Sequence, residues 1–228
     1  MKLLYKGKTK DVYKLDEEHV VLKFKDDVTG SDGKFDPGAD EIGLTIDGVG
    51  KSGLKLTTYF FEKLNNLNIP THFIDTDIDK NTMTVLKADF FGKGVEVICR
   101  YRAVGSFIRR YGLYAEKGDK LDSYLEFTLK DDKRSDPLIT KEALDMLNII
   151  SKEECEKIEK MTIKICNFIK EELSKKGLEL YDIKLEFGKV GKDNHIALID
   201  EISGGSMRVY KDGKYIEPFE LEKIFLNN

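Results

Sequence analysis

The sequence is poor in cysteine and histidine and contains no tryptophan. Its 228 residues include three cysteines, Cys99, Cys155 and Cys166, and no two of them form a C-x-x-C pair. Neither a disulfide framework nor a zinc site is therefore indicated, and we expect the thiols to be small buried core residues. The three histidines lie far apart in the sequence, and we expect them to be structural.

Long apolar segments and an excess of basic residues are also missing. No stretch reaches the roughly 18 consecutive apolar residues of a membrane helix. The opening MKLLYKGKTKDVY becomes polar too early for a signal peptide, so we expect a cytoplasmic protein with no membrane partner. The net charge of −4 argues against a general nucleic-acid binder, whose affinity comes from clustered Lys and Arg. Any phosphate-binding site must therefore be local.

The overall composition is typical of a globular protein. They are 40% hydrophobic and 35% charged, and the chain is long enough for a buried core. A helix is predicted over Leu54–Leu64. The clearest helix follows Ser151, where Glu154 completes a capping box, and it ends before Gly177. Strands are predicted in runs broken by helices, without regular βαβα alternation, which favours an α+β fold with mostly antiparallel sheets.

Three lysines alternate near the start of the chain, at Lys6, Lys8 and Lys10. Alternate residues of a β-strand share a face, so the pattern predicts one strand of a hairpin with three ammonium groups on one side. Such a row suits phosphate groups, which lysine binds as a point charge. Exposed lysines also protect edge strands from aggregation, and the pattern alone leaves both interpretations open.

The segment 25–53 is rich in Gly and Asp, and it predicts a loop with one short strand at most. Its length is unusual for a structureless connection and indicates a functional loop. The run Gly48–Ser52 precedes a predicted helix but is not a P-loop, because Thr45 stands where that motif requires glycine.

A strand near the end of the chain carries alternating charges. Over Tyr181–Phe187 the side chains of Asp182, Lys184 and Glu186 are predicted to share one face. The following strand ends in Asp200-Glu201, so at least one more carboxylate can lie beside Glu186 across the hairpin. Two carboxylates on rigid strands suit Mg²⁺, which prefers oxygen ligands and keeps substrate phosphates in its shell. The alternative interpretation is the solvated face of an amphipathic strand.

A second group of polar residues surrounds a predicted helix start. Gly105 and Ser106 precede a helix whose N-terminal N–H groups favour an anion. Arg100, Arg109 and Arg110 are near in sequence and suit a phosphate or carboxylate group.

Six stretches, in this order, resemble the SAICAR synthetase family: YKGKTKDVY, the KDD of 25–27, VEVICRYRAVGSFIRRYG, KDDKRSDPLI, YDIKLEFGK and LIDEISGGSMR. The resemblance runs from Tyr5 to about Tyr210. It implies two packed α+β lobes with an ATP cleft between them, similar to ATP-grasp enzymes and kinases. The implied lobes are a nucleotide-covering lobe at 1–88 and a metal and substrate lobe at 89–228.

The resemblance also implies an activity. Members of the family are ATP- and Mg²⁺-dependent ligases of purine biosynthesis. They join the carboxylate of carboxyaminoimidazole ribonucleotide (CAIR) to the amine of L-aspartate through an acyl phosphate, and they release SAICAR, ADP and phosphate. A homodimer is expected from the same resemblance.

Site residues follow from the resemblance by matching position. The residues implied to bind ATP are Lys8, Lys10, Lys87, Glu186 and Asp200. Those implied to act in catalysis are Lys184, Glu186 and Asp200, of which Glu186 and Asp200 hold Mg²⁺. Those implied to bind the ribonucleotide substrate are Arg100, Ser106, Asp136 and Arg208.

Departures from the family pattern fall mainly on the acceptor side. Gly204-Gly205 replace the usual Pro-Asp pair, Gly53-Leu54 stand where paired Asn is usual, the Pro before Glu96 is missing, and the tail after Phe219 is short. An alternative is therefore a ligase of the same fold with another amine or carboxylate substrate. A non-enzymatic nucleotide-binding module is a further alternative, against which the retained Lys184 argues. In a true SAICAR synthetase, Asp32 or Asp36 is expected to replace the missing acid.

Overall fold

The computed structural model describes residues 1–31, 34–35 and 42–226, which form fifteen strands, five α-helices and one 3₁₀ turn. In chain order the strands are β1 (Lys2–Lys6), β2 (Lys10–Lys14), β3 (His19–Phe24), β4 (Asp27–Ser31), β5 (Lys34–Phe35), β6 (Ile42–Thr45), β7 (Phe73–Asp77), β8 (Thr82–Leu86), β9 (Ala88–Phe90), β10 (Val95–Arg102), β11 (Lys120–Leu129), β12 (Glu179–Val190), β13 (His195–Ile199), β14 (Met207–Lys211) and β15 (Lys214–Ile216). The helices are α1 (Val49–Asn66), α2 (Ser106–Tyr111), α3 (Lys141–Met146), α4 (Lys152–Ser174) and α5 (Pro218–Leu226), with the 3₁₀ turn at Asp132–Arg134.

The chain divides into two compact units. The first contains the described residues within Met1–Asp89, Phe187–Gly205 and Glu217–Asn228, and the second contains Phe90–Glu186 and Ser206–Ile216. The predicted division into 1–88 and 89–228 differs from this one mainly in two later segments, which belong to the first unit. They belong there because β13 pairs with the end of β12 and α5 packs against α1.

The first unit begins with a five-stranded sheet in the order β1-β2-β3-β8-β7, in which neighbouring strands are antiparallel. The predicted single strand with three lysines is wrong. Lys6 ends β1, Lys10 begins β2, and Lys8 lies in the bend between them. Gly7 makes this bend possible, because a Cβ there would lie 2.3 Å from the Lys10 carbonyl oxygen.

The predicted long loop over 25–53 is also wrong for its described part. Three strands form a small antiparallel sheet in the order β5-β4-β6, and α1 begins at Val49 instead of Leu54. The early helix start has a local cause. The N–H of Gly50 donates to Asp26 Oδ1 at 2.9 Å, and the missing side chain of Gly50 lets the Lys25 carbonyl approach.

The core of the first unit centres on α1. The fully buried apolar residues of this helix are Leu54, Leu56, Phe60, Phe61 and Leu64. The ring of Phe225 on α5 stacks on Phe60 with the centroids 5.2 Å apart. Burying one such side chain stabilises the fold by about 1.5–3 kcal/mol, which explains why the C-terminal helix belongs to this unit.

The second unit is built on antiparallel strands in the order β11-β10-β12-β14-β15. Helix α4 packs against β10, and the predicted Ser151–Glu154 capping box is present. The three cysteines are free and buried, as predicted. The α+β class with antiparallel sheets is confirmed. Among the described helices, none has the length and apolar character needed to cross a membrane.

Candidate active site

Charged side chains cover one face of three paired strands in the second unit. Glu96 of β10 lies opposite Glu186 of β12, and Arg100 lies opposite Asp182. Lys184 falls between the two acids and shares their face. Asp182 and Glu186 are 3% and 6% exposed, so the interpretation of this row as a solvated strand face is wrong. Ile183 and Leu185, on the other face of β12, are buried core residues that fix the strand.

Two acid–lysine pairs lie at one end of this face. Lys184 Nζ donates to Glu96 Oε1 at 2.7 Å, and Thr128 Oγ1 donates to Glu96 Oε2 at 3.1 Å. Lys130 Nζ donates to Glu186 Oε1 at 2.8 Å. Burial acts to lower the pKa of Lys184, but the attraction of Glu96 and Glu186 outweighs it and raises that pKa. Lys184 therefore carries a positive charge at neutral pH.

A buried arginine organises the other end of the face. Arg100 is 1% exposed. Its Nε donates to Glu126 Oε2 at 2.9 Å, its Nη1 to Asp182 Oδ2 at 2.6 Å and to the Val104 carbonyl at 3.3 Å, and its Nη2 to Ser106 Oγ at 2.8 Å. Nη2 also lies 2.8 Å from Glu126 Oε2. All five N–H groups of the guanidinium thus have protein partners in this structure.

The acids that hold Arg100 also hold two further arginines. Asp182 Oδ2 accepts from Arg208 Nη1 at 2.8 Å, and Glu126 Oε1 accepts from Arg110 Nη2 at 2.6 Å. Burial raises the pKa of Asp182, and the neighbouring arginines act in the opposite direction. The side chains of Arg208 and Arg110 are 15% and 29% exposed. The contacts form a chain that begins and ends on arginine, which suits an anionic ligand.

Glycine is required where Arg208 approaches the start of α2. A Cβ on Gly105 would lie 2.8 Å from the Arg208 guanidinium, and Gly105 has a φ of 56°. The predicted helix at Ser106 is present, and it places the Ser106 hydroxyl on Arg100. Arg109 is exposed on the same helix.

Asp136 lies just after the 3₁₀ turn. Its Oδ1 accepts from the Asp131 N–H at 2.7 Å. Ser135 and Asp136 both have left-handed backbone angles, with φ of 53° and 44°. Two consecutive non-glycine residues in this region store strain, which is common at functional sites.

In the first unit, Lys10 contacts two acids that follow β13. Its Nζ lies 3.1 Å from Asp200 Oδ1 and forms an ion pair with Glu201. Burial acts to lower the pKa of Lys10, but Asp200 and Glu201 outweigh it and raise the pKa. Burial lowers the pKa of nearby His72 to about 4, so its ring is neutral at pH 7. The structure therefore brings two of the predicted residues together, Lys10 and Asp200.

The bend that carries Lys8 is held by Lys25. Lys25 Nζ donates to the carbonyls of Gly7 at 3.2 Å and Lys8 at 3.1 Å, and it lies 2.8 Å from Asp27 Oδ2. In a trans peptide the carbonyl and the following N–H point in opposite directions. The N–H groups of Lys8 and Thr9 therefore point away from Lys25. Lys25, itself paired with Asp27, thus fixes the two carbonyls of the lysine-rich bend.

Lys87 lies exposed between β8 and β9, and its backbone N–H donates to the Glu18 carbonyl at 2.7 Å. Of the predicted metal ligands, Asp200 belongs to the first unit and Glu186 to the second. No group of three or more His, Cys, Asp or Glu arranged for a metal ion occurs within 1–31, 34–35 and 42–226. Mg²⁺ often takes one or two carboxylates and completes its shell with phosphates and water, so the oxygen donors of Asp200 and Glu186 fit its chemistry.

Four residues of these clusters escaped the sequence prediction: Lys25, Glu96, Glu126 and Lys130. Glu96 had only a weak signal, since Glu96 and Arg100 share a face of β10 but the apolar Ile98 interrupts the charged row that identified Asp182, Lys184 and Glu186 on β12.

The two glycines that replace Pro-Asp have different surroundings. A Cβ on Gly204 would lie 2.4 Å from Pro218 Cα, so a side chain there requires a backbone shift. A Cβ on Gly205 would meet Ser203 Oγ at 3.2 Å, and the Gly205 backbone is outside the left-handed region. Gly53 has ordinary contact distances to Ser203 and Glu201. Asp32 and Asp36, the predicted replacement acids, lie outside the described residues.

Comparison with known proteins identifies the family. Residues 3–225 match the family model for SAICAR synthetase. A phosphoribosylaminoimidazole-succinocarboxamide synthase of Clostridium tetani is 61% identical and covers 99% of this chain and 100% of its own. One from Sulfolobus acidocaldarius is 39% identical, covering 91% of this chain and 83% of its own. A solved SAICAR synthetase (Type-2) in complex with ADP has a TM-score of 0.86 at 29% identity, covering 98% of this chain and 97% of its own. The chain belongs to the SAICAR synthetase family.

Proposed function

We propose that this protein is an ATP-dependent ligase of purine biosynthesis that forms SAICAR, ADP and phosphate from CAIR, L-aspartate and ATP. The observation that carries the proposal is the 61% identity, over 226 residues, to a phosphoribosylaminoimidazole-succinocarboxamide synthase. The charged strand face of the second unit gives this activity a physical basis, because it holds buried carboxylates and cations in fixed positions.

The reaction needs activation because a carboxylate is a poor electrophile. The γ-phosphoryl group of ATP is transferred to an oxygen of the CAIR carboxylate, and ADP leaves. The aspartate amine then attacks the carbonyl carbon, the C–O bond to phosphate breaks, and the nitrogen loses a proton. Lys184 is the residue that offsets negative charge on the transferring phosphoryl group. Its ammonium is held by Glu96 at 2.7 Å and stays charged.

The nucleotide end of the reaction is assigned to the first unit. Lys8, in the bend that Lys25 holds, and Lys10 contact the phosphates of ATP. Lys87 adds a further ammonium group. Asp200 and Glu186 are the residues that would offer carboxylate oxygen to Mg²⁺. The ion supplies positive charge at the phosphates when it is bound.

The ribonucleotide end is assigned to the arginine chain of the second unit. Arg208 and Ser106 contact the substrate phosphate or carboxylate, and Asp136 positions the substrate. Arg100 contributes by orienting Ser106 and the two acids that hold the outer arginines. Its role in substrate binding is thus indirect, in contrast to the direct contact that the sequence predicts. A cytoplasmic location and a homodimeric assembly complete the proposal.

A ligase of the same fold with a different amine is the second candidate, and one observation favours it. Gly204 faces Pro218 so closely that the family's proline does not fit there, and Gly205 lacks the usual carboxylate. Loss of one hydrogen bond to a charged group costs about 1.5–3 kcal/mol, or roughly tenfold to hundredfold in affinity.

Product analysis separates the two candidates. The purified chain is incubated with ATP, MgCl₂, CAIR and L-aspartate, and the products are identified by mass spectrometry. We expect a SAICAR signal and an equal amount of ADP, both lost when aspartate is omitted or a chelator is added. ATP binding without SAICAR, together with product from another carboxylate–amine pair, would establish the second candidate instead.

A further inference from the structure

Glu96 is a buried acid on β10 that has no assigned function. It is 4% exposed and lies directly opposite Glu186 across the β10–β12 ladder. Its carboxylate reaches diagonally to Lys184, two residues from Glu186 on the neighbouring strand, at 2.7 Å. This contact links it to the residue that faces the transferring phosphoryl group.

We propose that Glu96 is a positioning residue for the ligase reaction: it holds the Lys184 ammonium group in place and contacts neither metal nor substrate. This role rests on the proposed function. Lys184 is a flexible side chain with four rotatable bonds, and about 2 kcal/mol of rotamer entropy opposes any single position. A fixed carboxylate on a rigid strand reduces that freedom before the substrate arrives.

The contacts of Glu96 distinguish this role from metal binding. Oε1 accepts from Lys184 and Oε2 accepts from Thr128 Oγ1, so each oxygen already has a donor. Thr128 is itself 3% exposed and fixed on β11. Turning Glu96 toward a cation would leave the buried Thr128 hydroxyl without its acceptor, which is costly, and would release the partly exposed Lys184 ammonium.

Charge on the neighbouring residues gives Glu96 a second effect. Lys184 is attracted by both Glu96 and Glu186, and Lys130 also holds Glu186. Without Glu96, the ammonium of Lys184 would turn toward Glu186, which is the predicted metal ligand. Glu96 therefore keeps Lys184 and Glu186 in separate roles.

The test compares Glu96→Gln, Lys184→Met and the double variant in steady-state assays of SAICAR formation. Glutamine keeps the size of the side chain and removes its charge. For Glu96→Gln we expect kcat to fall about 10–100-fold, because a misplacement of about 1 Å at the reacting group can cost about 10²-fold. KM for ATP and for CAIR should change less than about 3-fold, because ground-state binding contacts are untouched. The double variant should have the kcat of Lys184→Met alone, because Glu96 acts through Lys184.

A matched control exists in the first unit. Glu222 is 5% exposed and accepts from Lys55 Nζ at 2.9 Å, so Glu222→Gln removes the charge of a similarly buried acid–lysine pair. It should lower the urea midpoint without changing kcat. Thr128→Val, which removes the second contact of Glu96, should lower kcat less than Glu96→Gln. If Glu96→Gln does not fold, Thr128→Val and Glu96→Asp, which keeps the charge but shortens the reach, carry the same kcat comparison.

Three results would overturn the proposal: a kcat for Glu96→Gln within about twofold of wild type, multiplicative losses in the double variant, or a raised Mg²⁺ requirement without a fall in kcat at saturation. The last result would make Glu96 a metal ligand. Failure of the proposed function is distinguishable, because it appears as absence of SAICAR with the wild-type protein. The same variants are then compared in ADP release with the substrate pair that does react.

Discussion

Each unit contains a cluster of charged side chains, and the two clusters have an excess of opposite charge. In the first unit one ammonium group, that of Lys10, contacts the two carboxylates of Asp200 and Glu201. In the second unit the contact chain from Arg208 to Arg110 alternates three guanidinium groups with two carboxylates. An excess of carboxylate attracts a cation and an excess of guanidinium attracts an anion. Under the proposed function, we expect the cluster of the first unit to favour a cation and the cluster of the second unit to favour the ribonucleotide anion.

Within the cluster of the second unit, the side chains differ in how deeply they are buried. The central residue of the second cluster, Arg100, is held by acids whose side chains are 1% and 4% exposed. Such buried ion pairs add little net stability, but removing one partner leaves an uncompensated charge. We therefore expect removal of Arg100 to destabilise the second unit. Function and stability are easier to separate at the partly exposed residues, such as Arg208.

The largest effect is expected from the predicted metal ligands, one in each unit. Glu186→Gln or Asp200→Asn should lower Mg²⁺-dependent turnover by about 10²–10³-fold, the usual loss when one electrostatic contact to the reacting group is removed. Both changes keep the size of the side chain, so the fold should survive. ADP release measured over a range of MgCl₂ concentrations checks this prediction. A variant with a near wild-type rate would show that its residue is not a metal ligand.

The second prediction separates the buried arginine from the partly exposed one. Arg100→Ala should lower the free energy of unfolding by about 3–5 kcal/mol, because Glu126 and Asp182 lose the cation between them. Arg208→Ala should destabilise the protein less and raise KM for CAIR about 10–100-fold with KM for ATP unchanged. Urea unfolding and steady-state kinetics measure the two effects.

Arg102→Ala is the control for this pair. Arg102 and its partner Glu179 have side chains that are 24% and 47% exposed, and a surface pair of this kind contributes under about 1 kcal/mol. An Arg100→Ala variant as stable as the Arg102→Ala variant would remove the distinction between the two clusters.

Local sequence signals predicted the elements that depend on local physics. Helix α4 was predicted because its capping box and its apolar stripe lie within one segment. The charged face of β12 was predicted because alternation along one strand is sufficient. The fold class and the family, which rest on the order of such elements, are confirmed by the structure and the comparisons.

Residues that depend on strand register were not predictable in the same way. The position of Arg100 was predicted, but its partners Glu126 and Asp182 come from the strands on either side, β11 and β12. Sequence alone does not fix that register. It therefore cannot reveal that all five N–H groups of the Arg100 guanidinium have protein partners. The lysine row failed for another reason, because Gly7 allows a bend that alternation cannot reveal. The roles of the site residues remain predictions.

A third prediction concerns the glycines of the first unit. Gly204→Ala should destabilise the protein by about 1–3 kcal/mol, because its Cβ would overlap Pro218 in a packed region. Gly205→Ala should change stability by less than about 0.5 kcal/mol, since its Cβ meets one rotatable hydroxyl. Thermal unfolding of the two variants side by side checks this difference. Equal losses at both positions would mean that contact with Pro218 does not explain Gly204.

The smallest effect is expected at Lys25, and it sharpens the comparison from the nucleotide side. Lys25→Met removes the ammonium that holds the carbonyls of Gly7 and Lys8, while keeping most of the aliphatic side chain. Without this contact the bend can adopt several backbone orientations instead of one. The proposed phosphate contacts of its N–H groups then form at a higher entropic cost. One hydrogen bond to a charged group is worth about 1.5–3 kcal/mol, and partial exposure of Lys25 reduces this. We therefore expect KM for ATP to rise about tenfold, with kcat changed less than about 3-fold. KM for CAIR should stay constant, which is the reverse of the Arg208→Ala pattern.

Lys23→Met, an exposed lysine on β3, is the matched control and should leave both KM values unchanged. If Lys25→Met raised KM for CAIR and ATP equally, the assignment of separate substrates to the two charge clusters would be wrong.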